Sequence, residues 1–171
     1  WERVEPLGST LAGVLFQTPP SFAFSETNLD RLRTMKEYLP KGVRIAVEFR
    51  NASWFRPSVV KAFKTMKYCL AGTYIQKKKG SKWMGNMPPG IHIPEKTAAF
   101  TYIRIHGARG YRGELDSEQL RELKKKIRSQ KSTKHYVMFN NTFFKNRDKR
   151  CKVGGKQIRY AAVCNAVEFS S

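Results

Sequence analysis

Several short apolar runs of this sequence end in a side chain that could bind an anion or exchange a proton. Guanidinium groups grip phosphates and carboxylates through paired hydrogen bonds. A carboxylate or an imidazole can transfer a proton when a neighbouring group adjusts its pKa. Glu48 and His106 are therefore the candidate catalytic residues. The candidate substrate- or anion-binding residues are Gln17, Arg50, Trp54, Arg104, Tyr111, Asn140 and Asn141.

A purely structural explanation of the same residues remains open. Glu48 and Arg50 point the same way along a predicted strand, and pairing with Arg104 would satisfy their polar atoms without any ligand. The sequence contains no G-x-G-x-x-G, Walker A, H-E-x-x-H or G-x-S-x-G motif. Its three histidines are not spaced as a metal-binding pair, and no C-x-x-C pair occurs, so we expect no metal and no cofactor.

The elements that position these residues follow an alternating pattern of strand and helix. This alternation is typical of β-α-β units in a parallel sheet, and the strands are apolar on both faces, as buried parallel strands are. Because the carboxyl ends of parallel strands lie at one edge, the polar residues that end them should share one rim. We expect strands near 12–17, 43–49, 68–72, 99–105 and 135–140.

Local capping patterns predict where the helices begin. Asn28 is expected to cap the first helix, and Pro57 should occupy the first turn of the second, where its missing N–H costs nothing. Asp116 and Gln119 have the spacing of a capping box for a third helix. The Gly- and Pro-rich stretch over 74–97 is expected to be a long loop.

The charge balance predicts a polyanionic partner. Lys and Arg number 33 against 13 Asp and Glu, so the formal net charge is +20. Residues 123–171 alone hold 13 basic residues and two acids, and we expect this stretch to order only against a polyanion. Such an excess favours nucleic acid over an anionic membrane. The candidate RNA-binding residues are Lys77, Lys78, Lys79, Lys82, Lys124, Lys125, Lys145, Arg147, Lys149, Arg150, Lys152, Lys156 and Arg159.

Cysteine usage and hydropathy bear on the cellular environment. Three widely spaced cysteines predict no disulfide and a reducing compartment. No apolar run approaches the ~20 residues of a membrane span, and no secretory signal stands at the front. We therefore expect an intracellular protein, mitochondrial or cytoplasmic, without membrane contact.

Five segments in order resemble one family. They are L-x-x-V-L-F-Q-T-P-P-S-F at 11–22, A-V-E-F-R-N-A-S-W-F at 46–55, Y-I-R-I-H-G at 102–107, F-N-N at 139–141 and the stretch 162–166. These segments are similar to the domain-of-unknown-function 72 family, also called YecE-like, over its C-terminal two-thirds. The resemblance implies an α/β fold, a parallel TIM-like (β/α) barrel with a polar cleft at the carboxyl rim. The activity of that family is not established.

Three departures from the family pattern accompany this resemblance. Five strands cannot close an eight-stranded barrel, so the single domain over 1–171 is expected to be an incomplete barrel. Its open edge would be covered by a partner or by residues outside this chain. The third strand is expected to end at Gly72, where the family usually carries an acid. A basic insertion at about 142–160 replaces a shorter family segment.

Two functional hypotheses follow. The first is an RNA-associated structural or binding subunit of a large ribonucleoprotein, such as a divergent ribosome, which contacts RNA and neighbouring proteins of the assembly. The alternative is an enzyme acting on a phosphate- or carboxylate-bearing substrate at the carboxyl rim, with Glu48 and His106 exchanging protons. The alternative does not account for the net charge of +20.

Overall fold

Parallel strands and helices alternate along most of the described chain. The structure is a computed structural model that describes residues 2–75, 85–106, 113–132, 134–141, 150–158 and 160–170. The strands are β1 (Val14–Gln17), β2 (Ile45–Glu48), β3 (Cys69–Leu70), β4 (Gly72–Ile75), β5 (Gly90–His92), β6 (Phe100–His106), β7 (Lys134–Phe139), β8 (Cys151–Val153) and β9 (Lys156–Ile158). The helices are α1 (Glu26–Thr34), α2 (Pro57–Met66), α3 (Ser117–Arg128) and α4 (Ala161–Ser170).

The strands form two consecutive parallel sheets. The first has the order β1-β2-β3, and the second has the order β5-β4-β6-β7 with only β5 antiparallel. Ala71 alone separates β3 from β4, and its N–H still donates to the carbonyl of Val47 in β2 (2.9 Å). The predicted α/β class with parallel strands is confirmed. Neither sheet closes on itself within the described residues.

Helices cover the outer face of both sheets. Val47 and Phe49 pack against Val59 and Phe63 of α2 in one cluster. A second cluster joins β6 to the apolar stripe of α3, and its fully buried members include Leu123. Burial of each such side chain contributes roughly 1.5–3 kcal/mol. This outer layer fixes the strands, so their carboxyl ends are held at defined positions.

Two of the three predicted helix starts are confirmed. Pro57 opens α2, and α3 begins with the capping box of Asp116 and Gln119. The predicted cap of α1 is wrong, because Ser25 accepts the N–H of Asn28 (3.1 Å) and the helix starts three residues earlier. The Asn28 side chain instead donates to the chain before the helix. Serine and asparagine have similar propensities to cap a helix, and Ser25 and Asn28 lie close together in the chain. The side-chain hydrogen bond shows that Ser25 is the cap.

The prediction that the third strand ends at Gly72 is wrong. β4 continues to Ile75, and Gly72 lies inside the sheet, where an added Cβ would come within 3.1 Å of both the β5 backbone and Ile103. The glycine is therefore explained by the close approach of neighbouring strands. The absence of an acid at Gly72 has no bearing on the rim, because the strand does not end there. The predicted loop over 74–97 likewise contains strand residues, including β5.

The prediction of no disulfide is also wrong. Cys151 in β8 is bonded to Cys164 in α4, with their Cα atoms 6.1 Å apart, whereas Cys69 is free and buried. β8 and β9 form an antiparallel hairpin that turns the chain back, so α4 packs beside β8. Sequence spacing could not reveal this pairing. The hairpin also shows that residues 150–158 order within the chain itself, contrary to the expectation that only a polyanion would order them.

Candidate anion site at the carboxyl rim

Four parallel strands bring six of the candidate residues together. Gln17 and Glu48 stand opposite each other at the ends of β1 and β2. β6 and β7 are paired in parallel up to Ile105 and Phe139, so the residues that follow emerge at the same edge. We name this group the rim cluster; its members are Gln17, Glu48, Arg50, Arg104, His106 and Asn140.

Glu48 is the centre of the rim cluster. Its side chain is 0% exposed, and its Oε2 accepts a hydrogen bond from Nη1 of Arg104 (2.9 Å). Its Oε1 lies 3.5 Å from Nε of Arg50 and 3.4 Å from Nε2 of His106. A carboxylate buried to this degree needs such partners, because an unpaired buried charge costs several kcal/mol. The cluster thus pairs the buried charge of Glu48 without any ligand, although Oε1 has ion-pair contacts and no hydrogen bond among the described residues.

Two carboxamides hold the guanidinium groups in place. Gln17 Oε1 accepts from Nη2 of Arg50 (2.6 Å) and from Nη1 of Arg104 (2.9 Å). The carboxamide oxygen of Asn140 accepts from Nε of Arg104 (3.0 Å) and also from Nη2. These contacts with Gln17, Glu48 and Asn140 occupy four of the five N–H donors of Arg104. Both arginine side chains keep 15% of their surface exposed, so a ligand can approach them.

The electrostatics of the cluster favour an anion. Burial is the largest influence on the pKa of Glu48 and raises it, but contact with His106 and the charge of Arg104 together lower it by more. The pKa therefore lies below its ordinary value, and the carboxylate is ionised at neutral pH. One carboxylate against two guanidinium groups leaves a net positive charge. Glu48 is better suited to hold the arginines than to exchange protons, since few molecules carry the acid form.

Two candidates lie apart from the rim cluster. Trp54 is fully buried, stacked on Phe49 with ring centroids 4.1 Å apart, and its indole N–H donates to the Phe22 carbonyl (2.7 Å). Asn141 is also buried and donates to Oδ1 of Asn165 in α4 (2.7 Å). Both contacts lie inside the fold. Trp54 and Asn141 are buried, so neither side chain exposes an atom that could fill the predicted ligand-binding role.

Sequence reasoning missed one residue beside the rim cluster. Thr73 pairs in register with Arg104, and its hydroxyl is buried without a hydrogen-bond partner among the described residues. Because the predicted third strand ends at Gly72, Thr73 falls outside the predicted site. Thr73 and Ile75 stand at alternate positions after that glycine, and this spacing was the available sequence signal that the strand continues.

The candidate RNA-binding residues that the structure describes lie on adjacent elements. Lys124 and Lys125 belong to α3. Arg150, Lys152 and Lys156 lie within residues 150–158, which contain β8 and β9 and which we name the hairpin segment. α4 contacts both α3 and β8, and Nζ of Lys124 lies 6.0 Å from the ring of an α4 phenylalanine. The candidates outside the described residues are Lys77, Lys78, Lys79, Lys82, Tyr111, Lys145, Arg147, Lys149 and Arg159.

The described part of the chain bears on metal binding and on membrane insertion. There, no group of three or more His, Cys, Asp or Glu side chains is arranged to hold a metal ion. Within the same ranges, every helix is too short or too polar to cross a membrane.

Comparison with known proteins identifies the family. The family described as "Protein of unknown function DUF72" matches residues 1–149. A DUF72 family protein of Thermotoga maritima MSB8 superimposes with a TM-score of 0.72 at 26% identity, covering 99% of this chain and 61% of its own. One from Enterococcus faecalis V583 gives 0.72 at 20% identity, covering 99% and 64%. No curated protein matches. The chain spans less than two thirds of either relative, and it belongs to the DUF72 family.

Proposed function

We propose that this chain is an RNA-associated binding or structural subunit of a large ribonucleoprotein, such as a divergent ribosome. The observation that carries the proposal is the charge balance. If each of the 13 acids neutralised one of the 33 basic residues, 20 cations would still lack an acidic partner. RNA supplies a regular array of phosphates, and the release of its counterions drives binding to such a surface.

The hairpin segment is one surface suited to that contact. Lys152 shares a face of the hairpin with Gln157, opposite the face on which Cys151 bonds to α4, and Lys152 is exposed. Lys156 is exposed beside the turn. The disulfide fixes these cations on the fold, so binding costs less conformational entropy than it would for an unanchored basic loop.

The proposal includes an incomplete TIM-like barrel of the YecE-like type. Within the described residues, β1 and β7 each pair with only one strand, so each leaves an open edge. Open edges recruit additional strands or a covering surface. Neighbouring proteins of the assembly, or residues outside this chain, would supply that surface. The proposed compartment is mitochondrial or cytoplasmic, as expected from the sequence. The Cys151–Cys164 bond does not follow from a reducing compartment, where disulfides are rare.

A direct binding comparison tests the RNA proposal. Fluorescence anisotropy would measure the affinity of the full chain for a single-stranded RNA at low salt. The triple variant Arg150→Ala, Lys152→Ala, Lys156→Ala should bind at least tenfold more weakly. A variant that removes the same charge elsewhere, Arg31→Ala, Arg33→Ala, Lys61→Ala, should lose much less. Absence of binding by the wild type, or equal losses in both variants, would contradict the proposal.

A second candidate function rests on the buried contact between Glu48 and His106. We propose, as the alternative, an enzyme that takes a phosphate- or carboxylate-bearing substrate at the rim. Arg50 and Arg104 would hold the anion, and His106 would exchange protons while the ionised Glu48 beside it holds the arginines in place. Millimolar inorganic phosphate should then raise the thermal unfolding temperature of the wild type. Arg50→Ala should abolish that increase; an increase that persists in the variant would contradict a rim site.

A further inference from the structure

A groove of about 670 Å³ opens at the end of the sheets opposite the rim cluster. It lies where β2 and β6 begin and where α2 ends, and its apolar lining includes Leu39, Val43 and Met66. Its charged lining is entirely basic among the described residues. We name this site the basic groove; its cations are Lys36, Lys41, Arg44, Lys64, Lys67 and Lys96.

Helix dipoles account for only part of this charge. In a β-α-β arrangement the helices end where the strands begin, and each helix C-terminus carries about −0.5 of a charge. Lys64 and Lys67 at the end of α2 suit that role. The end of α2 would be neutralised by about half of one positive charge, however, and the groove carries six cations. Most of its positive charge therefore has no such explanation.

Acidic side chains do not neutralise the groove either. Lys64 forms an ion pair with Glu95. Among the described residues, the Lys96 ammonium and the Arg44 guanidinium donate only to backbone carbonyls (3.2 and 3.3 Å). Within the described residues, Lys36, Lys41 and Lys67 form no ion pair with an acid. Like charges gathered around one concavity repel one another and create a positive potential, which a bound polyanion relieves.

An exposed aromatic residue indicates which polyanion fits. Tyr38 is 81% exposed and stands in the chain between Lys36 and Leu39, both of which line the groove. Basic grooves flanked by aromatic side chains are typical of sites for single-stranded nucleic acid, because the cations contact phosphates while unpaired bases stack on the rings. A duplex keeps its bases stacked and inaccessible. A flat anionic membrane would not enter a concave groove.

We propose that the basic groove binds a single-stranded segment of RNA, with its cations on the phosphates and Tyr38 stacked on an unpaired base. The buried hydroxyl of Tyr68 in the groove wall adds a polar atom without a hydrogen-bond partner among the described residues. This inference rests on the proposed RNA-associated function and assigns it a second site. That site lies at the amino ends of the strands, and none of the described residues 150–158 lines it.

Three variants of the full chain test this site with a single-stranded oligouridylate. The groove variant Lys36→Ala, Lys41→Ala, Lys67→Ala should bind at least tenfold more weakly. Tyr38→Ala should also lose roughly tenfold in affinity, since it removes the ring on which one base stacks. Tyr38→Phe keeps the ring and should bind like the wild type. An RNA duplex of the same length and phosphatidylserine vesicles serve as the competing probes.

The outcomes separate this inference from the function on which it rests. If the wild type binds no RNA, both fail. If the Arg150→Ala, Lys152→Ala, Lys156→Ala variant loses affinity while the groove variant and Tyr38→Ala do not, the groove inference is overturned and the RNA function survives. The groove inference is also overturned if the RNA duplex binds the wild type as tightly as the single strand does. It is likewise overturned if the groove variant and Tyr38→Ala lose affinity for the vesicles alone. Lysine acetylation of the wild type provides a measurement independent of variant folding: single-stranded RNA should protect Lys36, Lys41 and Lys67.

Discussion

Glu48 holds a full negative charge at a position with no exposed surface, and its neighbours make that possible. Arg104 donates to one carboxylate oxygen, while Arg50 and His106 approach the other. Gln17 then bridges the two guanidinium groups. Each member limits the movement of the next, so the loss of the central charge should disturb the whole group.

Replacing Glu48 with Gln tests this arrangement. The variant keeps the side-chain shape but leaves Arg104 without its carboxylate, and removal of one partner from a buried pair costs about 3–5 kcal/mol. We expect the free energy of unfolding at pH 7 to fall by about that amount in urea titrations. Glu118→Gln, on an exposed position of α3, is the matched control and should change it by less than about 0.5 kcal/mol. Equal stabilities would refute a central role for Glu48.

The lowered pKa of Glu48 predicts a specific dependence of stability on pH. The folded protein binds this proton less readily than the unfolded chain, whose glutamates titrate near about 4.3. Its stabilising contribution is therefore complete above that pH and is lost as pH falls through the lower, folded pKa. Urea unfolding between neutral and acidic pH should show a steeper acid loss in wild type than in Glu48→Gln. Parallel pH profiles would contradict the assigned direction.

Residue types at strand ends predicted all six members of the rim cluster, and burial explains why the candidates Trp54 and Asn141 lie apart from it. Gln17, Glu48 and Arg104 could be recognised because parallel strands end at one edge whatever their detailed packing. Trp54 could not be placed, because a tryptophan after a strand serves a rim or a core equally well. Its stacking on Phe49 depends on where α2 packs, which no local pattern specifies.

Among the elements of the fold, the hairpin segment is covalently linked to α4 by the disulfide between Cys151 and Cys164. It closes a loop with a sequence separation of 13 residues. A loop of about 15 residues corresponds to roughly 3 kcal/mol of stabilisation in the chain-entropy account. The basic side chains of β8 and β9 therefore depend on this covalent link for their positions.

Reduction of the disulfide should loosen the hairpin. We expect faster hydrogen exchange at the backbone amides of Cys151–Val153 and Lys156–Ile158 when reductant is added. The amides of β6 should change much less, because the parallel sheet holds them. The double variant Cys151→Ser, Cys164→Ser should show the fast exchange from the start and no response to reductant. Unchanged exchange in reduced wild type would contradict the anchoring role.

Elements defined by local chemistry were predictable, and those defined by distant partners were not. Pro57 and the Asp116–Gln119 pair fixed two helix starts because capping involves only neighbouring residues. The continuation of β4 past Gly72 depends on pairing with β6, and β5 depends on pairing with β4. Such pairings join residues far apart in the chain, so a single sequence carries only a weak trace of them.

At the scale of the molecule, the two ends of the sheets differ in character. The carboxyl ends hold the rim cluster, where charges are largely paired with one another. The amino ends hold the basic groove, where six cations surround an apolar lining. A second cavity, of about 200 Å³, shares Arg44 and Phe100 with the basic groove, and its lining residue Met138 is 37% exposed.

The proposed RNA-associated function depends above all on contacts with phosphates, and these contacts make RNA affinity depend on salt concentration. Each phosphate neutralised on a single strand contributes about −0.7 to the slope of log affinity against log salt concentration. Six contacts, as many as the groove has cations, predict a slope of about −4 for the wild-type chain and a single-stranded oligouridylate. A slope near zero, or no binding at low salt, would contradict recognition through phosphates and with it the proposed RNA-associated function.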